Sequence, residues 1–216
     1  MSIILDKVRK SYDKQTVVDD VSLEIETGEL FVLLGASGSG KTTVGRRIAT
    51  DLRVPFIHRD GLKETLFDTL SWSDRDWSRR LGGASWALLY HVADALLAAG
   101  TSFVIESNFD PAKATAELRE MQSLHPFTPV QVVCTAAGPT LVERYRRRSE
   151  TGERHPGHLD AVALEEHRDL LLTGRATPLG IAGPVLTLDT TDFATVDYDN
   201  LLRDLRRAAR VERAIG

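Results

Sequence analysis

The feature that most narrows what this chain can be is the run Gly35, Ala36, Ser37, Gly38, Ser39, Gly40, Lys41, Thr42 and Thr43, which carries the Walker A spacing G-x-x-x-x-G-K-T. The apolar stretch Leu30–Leu34 stands before it and a helical pattern follows it. That order distinguishes a strand, phosphate loop and helix from a merely glycine-rich turn. Glycines let the backbone curl so that successive N–H groups face an anion, and the following helix presents its positive N-terminus. Lys41 is expected to reach the β- and γ-phosphates, and the Thr42 hydroxyl to ligate Mg²⁺. The expected ligand is Mg-ATP.

The rest of the chain supplies a frame for such a loop. Five short apolar runs, Leu30–Leu34, Val54–His58, Ser102–Glu106, Val130–Cys134 and Val185–Asp189, each lead into a helical pattern. This alternation predicts an α/β protein with the three-layer P-loop NTPase fold, built on a five-stranded parallel sheet. Trp86, Leu89, Tyr90, Ala93, Leu96 and Leu97 recur at helical spacing and Gly100 stands where that helix would stop. Ahead of the first core strand, Ile3–Val8 and Val17–Ile25 are expected to form an antiparallel β-hairpin. The charged stretch 146–160, with Gly152, Pro156 and Gly157, interrupts the periodicity and is expected to be a mobile lid.

Composition excludes some partners. With 27 Lys and Arg against 31 Asp and Glu, the formal charge is −4, so no general field attracts nucleic acid or anionic lipid. No apolar stretch approaches the ~20 residues needed to span a bilayer, and the first residues lack a basic-then-apolar leader. A cytoplasmic protein without a membrane or nucleic-acid partner is expected. Cys134, the single cysteine, lies in an apolar run and is expected to be a buried strand residue.

Two resemblances attach to different parts of the chain. From Ile4 to Thr43, the segments Leu5-Asp6-Lys7-Val8-Arg9-Lys10-Ser11-Tyr12, Val18–Ile25, Gly28-Glu29 and the loop resemble the start of an ABC-transporter ATPase. That resemblance implies an adenine-stacking role for Tyr12, whose alternative is an ordinary turn tyrosine. The remainder lacks an LSGGQ-type signature, a glutamine-bearing loop and an Asp-Glu Walker B pair, and Arg80-Leu81-Gly82-Gly83-Ala84 is a poor substitute. A transport ATPase is therefore the least favoured function. From Phe31 to about Arg207 the chain resembles small P-loop kinases of the chloramphenicol-phosphotransferase, gluconate-kinase and polynucleotide-kinase type, within the AAA-family ATPases. The segments Arg59–Glu64, Val104–Phe109 and Arg144–His158 carry that likeness. The expected division is an ABC-like β segment at 1–28 and a kinase-like domain at 29–216, a combination that recombination or construction could produce.

The kinase resemblance implies an aspartate acting on the acceptor hydroxyl, and Asp60 stands at that position, with a helix N-cap as its alternative. Lys63, one turn on, is a candidate for an anionic substrate or else a surface lysine. Glu106 is expected to act in the site or to cap the helix at Pro111, and Asn108 to point into the same cleft. Arg148 and Arg154 are preferred among the lid arginines for stabilising charge on the transferring group. His155 and His158 lack companions at metal-ligand spacing, and Trp77 and Trp86 could wall the acceptor side or belong to the core. The leading expectation is transfer of the ATP γ-phosphate to the hydroxyl of a small molecule. Its rival is a module that binds ATP, hydrolyses it weakly and has no acceptor.

Overall fold

Two strands, β1 (Ile3–Tyr12) and β2 (Gln15–Ile25), pair antiparallel in a sheet of their own, with Ile3 opposite Ile25 and Tyr12 opposite Gln15. Both run longer than the apolar alternation alone implies. The computed structural model describes residues 3–12, 15–25, 28–151, 154–174 and 176–211, and side chains at 28–151, 154–159, 164–165, 167–174 and 176–208.

The main sheet is made of β3 (Glu29–Leu34), β4 (Phe56–His58), β5 (Phe103–Glu106), β6 (Thr128–Thr135) and β7 (Val185–Asp189), all parallel, in the order β4-β5-β3-β6-β7. The strand that enters the phosphate loop is central. Its side chains alternate between faces, as a pleated strand requires. Leu30, Val32 and Leu34 meet α3 (Arg75–Ala98) and α4 (Pro111–Leu124) through Leu89, Ala93, Leu97, Ala114 and Leu118. Phe31 and Leu33 meet α1 (Lys41–Leu52) and α7 (Tyr198–Val211) through Val44, Ile48, Leu201 and Leu205. A strand buried on both faces reads as a continuous apolar run, which is why this one is visible in the sequence. Cys134 lies inside β6 with no exposure, and burial pushes its thiol up to about 12.

The remaining helices are α2 (Arg59–Leu70), α5 (Gly138–Thr151) and α6 (Asp160–Leu172). The helix expected around Trp86–Leu97 is the second half of a 24-residue helix, α3, which starts at Arg75. The Asp74 carboxylate caps it by accepting from the Trp77 N–H at 2.8 Å. Gly82 and Gly83 do not break it, because Leu81, Ser85 and Leu89, one turn apart on one face, are buried. By length and mean hydropathy α3 could cross a membrane, a feature that the run-by-run view of the sequence overlooks. Its apolar face is spent on the core.

The lid expectation is corrected at its start. Residues 146–151 continue α5, where Arg146 bridges Glu143 and Glu150, each at 2.9 Å, across one helical turn in either direction. Among the described residues the interruption falls at 154–159; Gly152 and Glu153 lie outside them. Pro156–His158 form a single 3₁₀ turn, and Leu159 turns the chain into α6 in the left-handed conformation at φ 54°.

Gln131 is fully buried in β6, where an apolar residue would be ordinary. Its Oε1 accepts from the Leu179 N–H at 2.7 Å and its Nε2 donates to the Leu179 carbonyl at 3.2 Å, fixing the approach to β7. Gln131→Leu leaves both backbone groups unpaired in the interior, and should cost about 3 kcal/mol of stability, read from urea unfolding midpoints at an unchanged slope.

Candidate active site

The phosphate loop occupies the turn between β3 and α1, at the carboxyl edge of the sheet. Two glycines there have no substitute. A Cβ at Gly35 would lie 2.4 Å from Ser39 Oγ and 2.5 Å from the Cys134 carbonyl. Gly40 caps α1 from the left-handed region at φ 75°, and a Cβ on it would sit 2.1 Å from the Phe193 ring. Lys41, the first residue of α1, is 5% exposed, and its ammonium folds back to donate to the Ala36 carbonyl at 3.0 Å and to Asn108 Oδ1 at 2.8 Å. Glu106 Oε1 lies 3.8 Å away. Burial lowers the Lys41 ammonium below its ordinary range, against the opposing pull of Glu106.

Glu106 ends β5 directly opposite Leu33 of β3, so strand pairing sets its carboxylate beside the loop. Thr42 donates its hydroxyl proton to Glu106 Oε2 at 2.9 Å. Glu106 does not cap α4, since Asp110 does so by accepting from the Lys113 N–H at 3.0 Å. Asn108 lies two residues beyond β5 and lines the same cleft.

Asp60 lies in the first turn of α2. The N-cap is His58, whose Nδ1 accepts from the Gly61 N–H at 3.1 Å, so a capping role for Asp60 is excluded. Its carboxylate lines the cleft, bonds to the Arg154 guanidinium and lies 3.5 Å from Arg59. Burial alone would raise this carboxyl. Arg154, His158, Arg59 and Lys41 outweigh burial and hold it well below the usual carboxylate range.

Together these groups line a cleft of about 490 Å³ with Ser37, Gly38, Thr43, Arg144, Arg147, Arg148, Thr191, Asp192 and Phe193. Arg148 donates to Ser37 Oγ at 2.9 Å. Arg144 donates to the carbonyls of Gly38 at 3.3 Å, Thr190 at 2.8 Å and Thr191 at 3.0 Å, while its guanidinium lies 4.8 Å over the Phe193 ring. Thr190 Oγ1 donates to the Ser39 carbonyl at 2.8 Å.

The sequence profile of an AAA domain, AAA_33, matches residues 30–171, a span that contains Leu30–Leu34 of β3, the phosphate loop, Asp60, Glu106 and Arg154. The chain belongs to this AAA-domain family. A Chloroflexus aurantiacus protein of solved structure, provisionally described as a kinase, is 37% identical, with a TM-score of 0.77 over 85% of this chain and 99% of that one. A sugar kinase from Janibacter sp. HTCC2649, 18% identical, covers 88% of this chain and 99% of its own at a TM-score of 0.50, which speaks for the shared fold alone. A sulfate/thiosulfate import ATP-binding protein, CysA 2, from Agrobacterium fabrum is 57% identical over 49 residues, 23% of this chain. This chain covers only 14% of that transport protein's length.

Within this AAA-domain chain the expected site residues divide. Lys41, Thr42, Glu106, Asn108, Asp60 and Arg148 converge on one cleft with the phosphate loop. Lys63 does not join them. It is 7% exposed and donates to Ser78 Oγ at 3.0 Å, so it is neither a surface lysine nor open to a substrate in this state. Arg154 pairs with Asp60 rather than with the loop. Arg146 is spent on Glu143 and Glu150. Trp86 packs between Tyr90, Phe109 and the Arg59 guanidinium, whereas Trp77 donates its indole N–H to the Ser71 carbonyl at 3.0 Å. No group of metal-ligating His, Cys, Asp and Glu occurs among the described residues. The Tyr12 side chain lies outside what is described. Sequence reasoning passed over Phe193, Thr190, Thr191 and the clamp role of Arg144, because nothing local marks a loop 150 residues away as part of the site.

Gly40 provides a test with an internal control. Gly40→Ala forces a side chain into the Phe193 ring from a left-handed backbone, a strain of about 1–3 kcal/mol that should weaken Mg-ATP binding about tenfold or more by calorimetry. Gly83→Ala, where a Cβ meets nothing within 4 Å in the middle of α3, should leave binding unchanged and add about 0.5–1 kcal/mol of stability.

Proposed function

We propose that the protein is an ATP-dependent phosphotransferase that moves the γ-phosphate of Mg-ATP to a hydroxyl of a small molecule. The observation that carries this is the meeting of Lys41, Thr42 and Glu106 at the end of two paired strands, with Asp60 facing them across one cleft. The 37% identity to a protein provisionally described as a kinase adds support.

In this function the loop amides and Lys41 take the phosphates, leaving Asn108 and Ala36 as the ammonium swings outward. The Thr42 hydroxyl and the Glu106 carboxylate are hard oxygen donors 2.9 Å apart, a set that fits Mg²⁺ and would hold it. When bound, that ion neutralises charge on the phosphate oxygens. Asp60 accepts the hydrogen bond of the acceptor hydroxyl and aims its oxygen at the γ-phosphorus. The new P–O bond forms as the bond to the β,γ-bridging oxygen breaks, ADP leaves, and the hydroxyl proton passes to Asp60 and then to water. A carboxyl held as low as this one is a weak base. Its contribution is orientation, which suffices where the transition state is loose and the proton moves late. Arg148 stabilises charge on the transferring group, with Arg154 keeping Asp60 ionised. Phe193, 42% exposed and the aromatic among the described cleft-lining residues, offers with Arg144 a face for the base.

Purified protein incubated with Mg-ATP and a pooled panel of sugars, nucleosides, antibiotics and oligonucleotide ends should form new phosphoesters visible by phosphorus NMR. Lys41→Ala should abolish ATP binding. Asp60→Asn should retain binding and lose transfer by about 100-fold or more. Undiminished transfer in Asp60→Asn overturns the role of Asp60, and ATP binding without any acceptor from the panel overturns phosphotransfer.

A further inference from the structure

Lys63 is the charged residue that the site leaves over, and its surroundings are unusual for an ammonium. It lies between α2 and α3 with 7% exposure, 5.1 Å over the Phe67 ring, and its hydrogen bond goes to the neutral Ser78. Burial and the nearby Arg59, Arg154 and Arg75 lower it to about 8, with Asp60 pulling the other way. An apolar side chain of the same length would be the cheaper occupant if packing were all that was required.

The hydrogen-bond chemistry shows what the ammonium does there. A lysine ammonium only donates, so Ser78 Oγ must accept from it and turn its own proton elsewhere. That proton goes to the Gly157 carbonyl at 2.9 Å, 79 residues along the chain. Ser78 is 2% exposed, so this is a buried, directional relay from α2 through α3 to the segment 154–158. Gly157 is the residue that allows it, since a Cβ there would lie 2.9 Å from three atoms of the Phe67 ring. His155 stacks on one side of that ring at 5.0 Å, and His158 meets it edge-on at 5.3 Å. The two histidines also pair with Asp68 at 3.2 Å and Glu64 at 3.1 Å, carboxylates that are 72% and 36% exposed. The Asp68 pair is exposed and holds weakly, whereas His158 is buried and its bond to Glu64 is a second tie of this segment to α2. Three residues before Gly157 stands Arg154, on Asp60.

We propose that Lys63 is a positioning residue, which acts through Ser78 and the Gly157 carbonyl to hold segment 154–158 against α2 and so keep Arg154 on Asp60. Lys63 thus contacts no substrate. The functional weight of the pair rests on Asp60 as the orienting carboxylate of phosphotransfer, but its geometry does not, and the test needs neither acceptor nor ATP.

The test follows the Asp60 carboxyl by carbon-13 NMR through an acid titration of the full chain. Arg154, His158, Arg59 and Lys41 are the charged groups that lower it most, and Lys63 and Glu64 of α2 also couple to it. Arg154→Gln marks the midpoint reached when the main partner is removed. Ser78→Ala removes no charge, so any shift it causes arrives through geometry, and it should raise the midpoint by about one pH unit. Ser78→Thr, which keeps the hydroxyl, should restore the wild-type value. Lys63→Met should raise the midpoint by at least as much, because it also removes a charge coupled to Asp60, and Lys63→Met with Ser78→Ala no further than Lys63→Met alone. Asp68→Asn should leave it unchanged. If Ser78→Ala strands the ammonium and does not fold, the double variant, which buries no lone charge, supplies the reading. A midpoint that stays at the wild-type value in these variants while Arg154→Gln moves it overturns the proposal, as do additive single shifts or an equal effect of Asp68→Asn. Loss of phosphotransfer activity in some other experiment leaves this titration unaffected, so the two ideas fail separately.

Discussion

The burial of one ammonium organises the centre of this molecule. Lys41 stands at the start of a helix, behind a strand with both faces in the core, and a charge in that place is tolerable only with compensation. The compensation comes from β5, whose last residue, Glu106, is brought alongside by strand pairing. For β5 to be the neighbour, the chain must first run out through β4, α2 and α3 and return between β3 and β4. The order β4-β5-β3-β6-β7 is thus the topology that puts an acid against the lysine. It also sets α2, with Asp60, at the same edge of the sheet, so the cleft is a product of strand order before any side chain is chosen.

Around that centre, two parts of the chain distant in sequence are tied to the loop in different ways. The turn after β7 is joined to it by the Arg144 guanidinium and the Thr190 hydroxyl, both bonding to backbone carbonyls. Such contacts define the loop's shape irrespective of what the loop holds. The segment after α5 is joined instead to α2, through side chains and one buried relay, and among the described residues it reaches the cleft through Arg154 and Asp60. The first arrangement is a frame, and the second is a brace on a single carboxylate.

The sequence disclosed what is local. The phosphate loop, the buried strands and the helix after each announce themselves within ten or so residues, because periodicity and turn chemistry act over that distance. Glu106 and Asp60 could be located because each ends or follows an apolar run at the carboxyl edge of the sheet. Lys63 could not be understood in the same way, since its partner Ser78 lies on another helix and the recipient of the Ser78 proton is 79 residues further on. The lid is shorter than its composition suggests for a related reason: Gly152, Pro156 and Gly157 mark a break, but the Arg146 pairs that carry α5 to Thr151 oppose it. The resemblance to a transport ATPase named Tyr12 as an aromatic for the base, while Phe193 was invisible because only tertiary structure brings it beside Gly40.

Thr190 adds a temporal consequence. Its hydroxyl bonds to the Ser39 carbonyl across 151 residues and its N–H to the Thr135 carbonyl, so the loop is finished by a residue made long after it. A ribosome delivers the phosphate loop early and its last support late. While the 151 residues from Ser39 to Thr190 are being made, the nascent chain carries the loop without these contacts, and the loop takes its shape with the closing strand rather than with the motif.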